Sequence, residues 1–113
     1  MADLDRRAQT DVTPQALHAE LRAGRPVMLL DVREPAEWAI ARLPSATLVP
    51  LGSLIEASPT LPRDADLVVY CHHGMRSDAA ARWLREAGFA RVRNLEGGID
   101  RWSVEVDATL PRY

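Results

Sequence analysis

The chain contains one cysteine, and it stands in the stretch VVYCHHGMRS, residues 68–77. Cys71 closes an apolar run, and His72, His73, Gly74, Met75, Arg76 and Ser77 follow it. This order reads as a strand that turns through a tight loop into a helix. Gly74 supplies a residue that takes a positive φ without strain. A loop this short curls its successive N–H groups inward, and the N-terminus of the next helix adds partial positive charge beneath them. A thiol at that focus, with Arg76 nearby, is expected to favour the thiolate, which is the attacking form.

Other chemistries for the same residues are weaker. A cysteine at the end of a buried strand often serves only as a small apolar filler, but two histidines and an arginine beside it do not suit a core. Cys71, His72 and His73 are contiguous, so their side chains diverge, whereas zinc ligands are usually spaced by two or more residues. No metal site is expected, and His18 is read as solvent-facing on a separate helix. A Ser-His-Asp triad is not indicated, because Ser77 reads as a helix N-cap with Asp78 favouring the helix dipole. If His72 and His73 charge near their ordinary range, turnover of an anionic substrate should improve as the pH falls toward about 6.

The surrounding chain alternates strand and helix patterns. Thr13-Pro14 starts a helix with an N-cap followed by proline at the first helical position, and Gly24 and Pro26 end it. VMLLDV, residues 27–32, is short and continuously apolar, as in a strand covered on both faces. A helix is expected over 34–41, a strand over 46–51, a short helix over 51–57 and a loop over 58–66. LVVY, 67–70, is a further strand. From Ser77 the apolar positions Ala80, Trp83, Leu84 and Ala87 repeat at helical spacing, and Gly88 fits just past the end. RVRNL, 91–95, and GGIDRW, 97–102, give a last strand and a last short helix. Together these predict one α/β domain over residues 10–113 with a parallel sheet, preceded by a loose arm over 1–9. In such sheets sites lie beyond the C-terminal ends of the strands, where Cys71 falls.

Composition narrows the partners. The 113 residues are 47% apolar and 27% charged, with a formal charge of −2. No basic face is declared, so nucleic acid is not expected as a partner. The charged N-terminus has no apolar signal segment, and no apolar run approaches the roughly 18 residues a membrane helix needs. A single cysteine gives no internal disulfide, and the expected compartment is the cytoplasm.

At this point the chain resembles the rhodanese family, and in particular its single-domain members. LLDVREPAEW (29–38), YCHHGMRS (70–77) and LEGGIDRW (95–102) match three motifs of that family in order. The resemblance implies a single domain with a parallel five-stranded sheet and helices on both faces, and a sulfurtransferase of the thiosulfate type. Cys71 would take a sulfane sulfur as a persulfide and pass it to cyanide, a thiol or a protein. His72, His73, Gly74, Met75, Arg76 and Ser77 would bind the outer sulfur, chiefly through backbone N–H groups. No cofactor is implied. The partners are a small sulfur donor and a thiophilic acceptor, with a sulfur-carrier protein as an alternative, and the assembly is a monomer or weak dimer. Asp31, Arg33 and Glu37 read as structural ion-pairing residues, and Trp38, Trp83 and Trp102 as packing residues. One departure stands out: where the family often has Gly-His-Ile-Pro-Gly-Ala, this chain has Ala41-Arg42-Leu43-Pro44-Ser45-Ala46, which puts the local turn in question. Two rivals remain. A regulatory binding module would commonly lack the cysteine. A phosphatase of the related fold would carry Cys-x5-Arg, and here Cys71 and Arg76 are Cys-x4-Arg, a tighter ring suited to one sulfur atom.

Overall fold

The computed structural model describes residues 10–113, and the arm expected over 1–9 lies outside them. Two short strands edge the sheet: β1 (Asp11–Val12) and β3 (Thr47–Leu48). Between them run β5 (Arg91–Leu95), β4 (Asp66–Tyr70) and β2 (Val27–Asp31), all parallel, in the order β1-β5-β4-β2-β3. The helices are α1 (Pro14–Arg22), α2 (Pro35–Ile40), α3 (Leu54–Ala57), α4 (Met75–Glu86) and α5 (Gly98–Glu105). Single 3-10 turns at Leu51–Ser53 and Ser58–Thr60 flank α3.

Alternation along the central strands divides the core into two layers. Leu30, Leu67, Val69 and Cys71 face one side, against Leu54 of α3 and Ala80, Ala81 and Leu84 of α4. Leu29, Val68 and Tyr70 face the other, against Leu17 of α1 and Ile99 and Trp102 of α5. Because both faces are covered, β2 and β4 read as unbroken apolar runs. Each fully buried Leu or Val contributes about 1.5–3 kcal/mol of transfer free energy, so these strand interiors anchor the fold.

Several boundaries differ from the sequence reading, each for a local reason. The strand expected over 46–51 pairs only at Thr47–Leu48, because Pro50 then takes an extended conformation that caps the Leu51–Ser53 turn. The strand Asp11–Val12 had no sequence signal: two residues are too few for periodicity. Helix α4 begins at Met75, two residues before the expected start, because Gly74 at φ +102° is its N-cap. Ser77 is therefore not a cap but an inward-facing residue of the first turn. His18 is half-buried, its ring edge-on to Trp102 at 5.8 Å, rather than solvent-facing. Ser45 takes φ +64° in the Ala41–Ala46 segment, the turn left in question by the missing glycines.

The chain moves outward from β2 to β3 and then, from β4, in the opposite direction to β5. The switch point lies between the C-terminal ends of β2 and β4, the place where open parallel sheets build their sites. Asp31 of β2 is in register with Tyr70 of β4. Cys71 and Arg33 continue from those two ends.

Candidate active site

Cys71 Sγ is surrounded by donors from its own loop. Gly74 N–H lies at 3.1 Å and Ser77 N–H at 3.4 Å, with Ser77 Oγ at 3.3 Å. The first two come from the turn that Gly74 makes and from the start of α4. The strand-to-helix passage is thus what aims N–H groups at sulfur. Such preorganised donors stabilise a negative sulfur without having to reorganise.

The Ser77 hydroxyl has a second partner. It donates to Asn94 Oδ1 at 2.6 Å, and Asn94 Nδ2 in turn donates to the Gly74 carbonyl at 3.3 Å. The second bond fixes which way the amide faces. A hydroxyl carries one proton, so the Asn94 contact holds it while the sulfur is neutral. Asn94 is buried on β5 and was not singled out from the sequence. Its signal was a polar residue between Val92 and Leu95 in a short strand, visible only once the strand is known to abut the loop.

Helix α5 holds the loop from the other end. Ile99 N–H donates to the Cys71 carbonyl at 2.9 Å, and Asp100 N–H to the His72 carbonyl at 3.1 Å. Gly98 makes this approach possible: a Cβ there would lie 2.4 Å from the His72 carbonyl oxygen. Two carbonyls of the loop are thus satisfied by the first turn of the closing helix, which is where the LEGGIDRW segment meets YCHHGMRS.

The charged residues form a network beside the loop. Arg76 donates to both carboxylate oxygens of Glu37, at 2.7 and 3.0 Å. Glu37 also closes a capping box with Glu34 at the start of α2. The Arg76 hydrogen bonds hold the Glu37 carboxyl down at about 2 against its burial, with Tyr113 assisting. Asp31 and Arg33 are both fully buried and joined at 2.7 Å. Every donor of Arg33 is used, on Asp31, Glu37 O, Ala41 O and the Tyr113 hydroxyl. Burial opposes the Arg33 charge, but the bonds to Asp31 and Tyr113 outweigh it and keep the guanidinium charged. The structural role expected for Asp31, Arg33 and Glu37 fits this arrangement.

Tyr113 was not singled out as a site residue from the sequence. Its ring stacks on His72 at 3.9 Å and 6°, and its hydroxyl donates to Glu37 Oε2 at 2.7 Å while accepting from Arg33. Burial pushes the phenol up to about 12. His72 lies between Tyr113 and His73, whose ring is 3.9 Å away on a tilted plane. Burial, then His73, lowers the His72 pKa below its ordinary value. The charged form of His72 is thus disfavoured by its surroundings, against the ordinary titration expected from the sequence. His73 is 63% exposed and 3.9 Å from Asp100.

Of the seven residues predicted for the site, Gly74 and Ser77 are hydrogen-bonded to the Cys71 sulfur. Arg76 is tied to Glu37, and its charge acts on sulfur from beside it. His72 stacks on Tyr113, His73 is exposed, and Met75 is 83% exposed. Among the described residues no three His, Cys, Asp or Glu side chains are grouped as metal ligands.

Fold and site together define a parallel α/β domain that carries a buried cysteine in a loop of N–H donors at the end of its central strand. The family model for the rhodanese-like domain matches residues 13–105, and the chain belongs to that family. It is 38% identical over 105 residues to the probable adenylyltransferase/sulfurtransferase MoeZ of Mycobacterium tuberculosis, covering 90% of this chain but 26% of that protein's length. It is 36% identical over 93 residues to a sulfurtransferase of Allochromatium vinosum, covering 82% of this chain and 87% of that one. Among solved structures, a rhodanese-related protein of Thermoplasma volcanium superposes with a TM-score of 0.79 at 31% identity, over 86% of this chain and 93% of that one.

Proposed function

We propose that the protein is a sulfurtransferase that carries sulfane sulfur as a persulfide on Cys71. The observation that carries this reading is the set of donors converging on Sγ from Gly74 and Ser77. With thiosulfate as donor, the Cys71 thiolate attacks the outer sulfur. The bond between the two sulfurs of the donor breaks, and sulfite leaves with its electron pair. A nucleophilic acceptor such as cyanide then attacks the terminal sulfur, forms thiocyanate and returns the thiolate. The terminal sulfur of the persulfide is a compact anion that suits a small ring of N–H donors. As charge builds on sulfur, the Ser77 hydroxyl can turn its proton from Asn94 to the sulfur.

The phosphatase reading is disfavoured by the same geometry. The loop is one residue shorter than Cys-x5-Arg, and Arg76 is held bidentate by Glu37 rather than free to clamp an oxyanion. Delivery of sulfur to a protein is a second reading, favoured by the likeness to the mycobacterial adenylyltransferase/sulfurtransferase. No helix among the described residues is long and apolar enough to cross a membrane.

Initial-rate kinetics test the proposal. Double-reciprocal plots for thiosulfate at several cyanide concentrations should be parallel, and Cys71→Ser should be inactive while keeping its circular dichroism spectrum. Intersecting lines, or activity in Cys71→Ser, would remove the covalent mechanism.

A further inference from the structure

Sulfur transfer requires the donor to reach Sγ and the acceptor to reach the sulfur that Sγ then carries, yet Cys71 is 1% exposed. Some part of its surroundings must yield. The loop itself is fixed by backbone bonds from Ile99 and Asp100 and by the close approach of Gly98. The C-terminal segment is held differently. Arg112 pairs with Asp100 at 2.9 Å in an exposed position, and Tyr113 keeps 39% of its surface exposed while it stacks on His72. The seated arrangement also leaves His72 Nε2 buried without a hydrogen-bond partner. The segment is held by one exposed ion pair and by the Tyr113 hydroxyl bonds to Glu37 and the buried Arg33, all of them side-chain contacts, and these open more readily than a loop bonded through its backbone.

We infer that Tyr113 is a specificity-determining residue of the transfer site: seated on His72 it hinders bulky acceptors from reaching Cys71, and lifted it admits them. The inference rests on the sulfur-transfer reading for the nature of the acceptor, a small anion against a thiol borne on a larger molecule. Tyr113 does not touch the sulfur and takes no part in bond making. It acts through His72, the neighbour of Cys71, and through Glu37, the partner of Arg76. The two hydrogen bonds of its hydroxyl, to Arg33 and Glu37, secure the seat, and they hold the ring on His72, the residue next to Cys71.

Because Cys71 is the only cysteine, alkylation of the full chain reports on one thiol and needs no sulfur transfer. The rates with iodoacetamide, a small reagent, and fluorescein maleimide, a bulky one, are compared in the wild type, Tyr113→Phe and Tyr113→Ala. A latch open about a few per cent of the time predicts that Tyr113→Ala raises the maleimide rate about tenfold or more, and the iodoacetamide rate by less. Tyr113→Phe keeps the ring and loses both hydroxyl bonds, so its ratio of the two rates falls between the others. A ratio in Tyr113→Ala within about twofold of the wild type would overturn the inference, since removing the latch must change the accessible fraction unequally for the two reagents. Equal acceleration of both reagents would also overturn it, because general loosening acts on both alike. If Tyr113→Ala fails to fold, the ratio in Tyr113→Phe decides. A flat alkylation pattern with persulfide formation intact removes the latch alone. A size-dependent pattern without persulfide formation removes the sulfur-transfer reading and leaves a gate over a thiol.

Discussion

Ser77 reaches both Cys71 Sγ and Asn94 Oδ1 with a single hydroxyl, so its removal separates sulfur stabilisation from packing. Ser77→Ala leaves the Ser77 N–H in place but deletes the side-chain donor. A hydrogen bond to a charged group is worth about 1.5–3 kcal/mol, so the second-order rate constant of the thiosulfate half-reaction should fall about tenfold or more. Stopped-flow measurement of the tryptophan signal or of sulfite release checks this, and an unchanged rate would place the hydroxyl outside the chemistry. Arg33 poses the opposite case, a buried charge that serves structure. Arg33→Ala leaves Asp31 charged and unpaired in the interior and should cost about 3–5 kcal/mol in urea unfolding. The sequence displayed Cys71 and its neighbours as chemistry because polar residues beside a lone thiol break the core pattern. It concealed Asn94 and Tyr113, whose meaning depends on contacts 17 and 41 residues away from Ser77 and His72 (94 − 77 and 113 − 72).

At the scale of elements, two glycines and one serine test how the loop and its supports are built. Gly98 packs against the carbonyls of Cys71 and His72 at φ +62°, so Gly98→Ala both strains the backbone and drives a Cβ into backbone atoms. A loss of about 3 kcal/mol or more is expected. Gly74 also has a positive φ, but its nearest neighbour would be 3.4 Å from a Cβ, so Gly74→Ala should cost only the strain, about 1–2 kcal/mol. Thermal melts that rank the two the other way would contradict the assigned support from α5. Ser45 is a non-glycine residue at φ +64°. Ser45→Gly relieves about 1–2 kcal/mol of strain against about 0.5–1 kcal/mol of added chain freedom, so a small net gain in stability is expected. Strands β2 and β4 were legible because both faces are buried, which makes them continuous apolar runs. The start of α4 was not, because a glycine N-cap with no side-chain bond leaves Ser77 as the more conventional capping signal.

For the whole molecule, the ion pairs set the response to acid. Glu37 is held at about 2, below its ordinary 4.5, so its contribution to stability is complete above pH 4.5 and is lost as the pH falls toward 2. His72 is held below its ordinary 6.5, so its neutral form is favoured in the folded state and acidification weakens it too, beginning nearer pH 6.5. The urea midpoint should therefore decline steadily from about pH 6 to pH 3, with a shallower decline below pH 4.5 in Glu37→Gln. A wild-type midpoint that stayed flat over that range would contradict the network. The alternation of strand and helix patterns from β2 onward, the parallel sheet and the position of Cys71 at the C-terminal end of a strand could be read from the chain, whereas the edge strand β1 and the order of strands in the sheet could not. The closing of the C-terminal segment onto the loop could not, because no periodicity encodes it. The central claim is that Cys71 carries the transferred sulfur, and intact mass after brief incubation with thiosulfate measures that directly. The account predicts a gain of one sulfur, about 32 Da, on the wild type, absent from Cys71→Ser and removed by cyanide. A wild type that gains no sulfur from thiosulfate, mercaptopyruvate or a persulfide-bearing protein would contradict it.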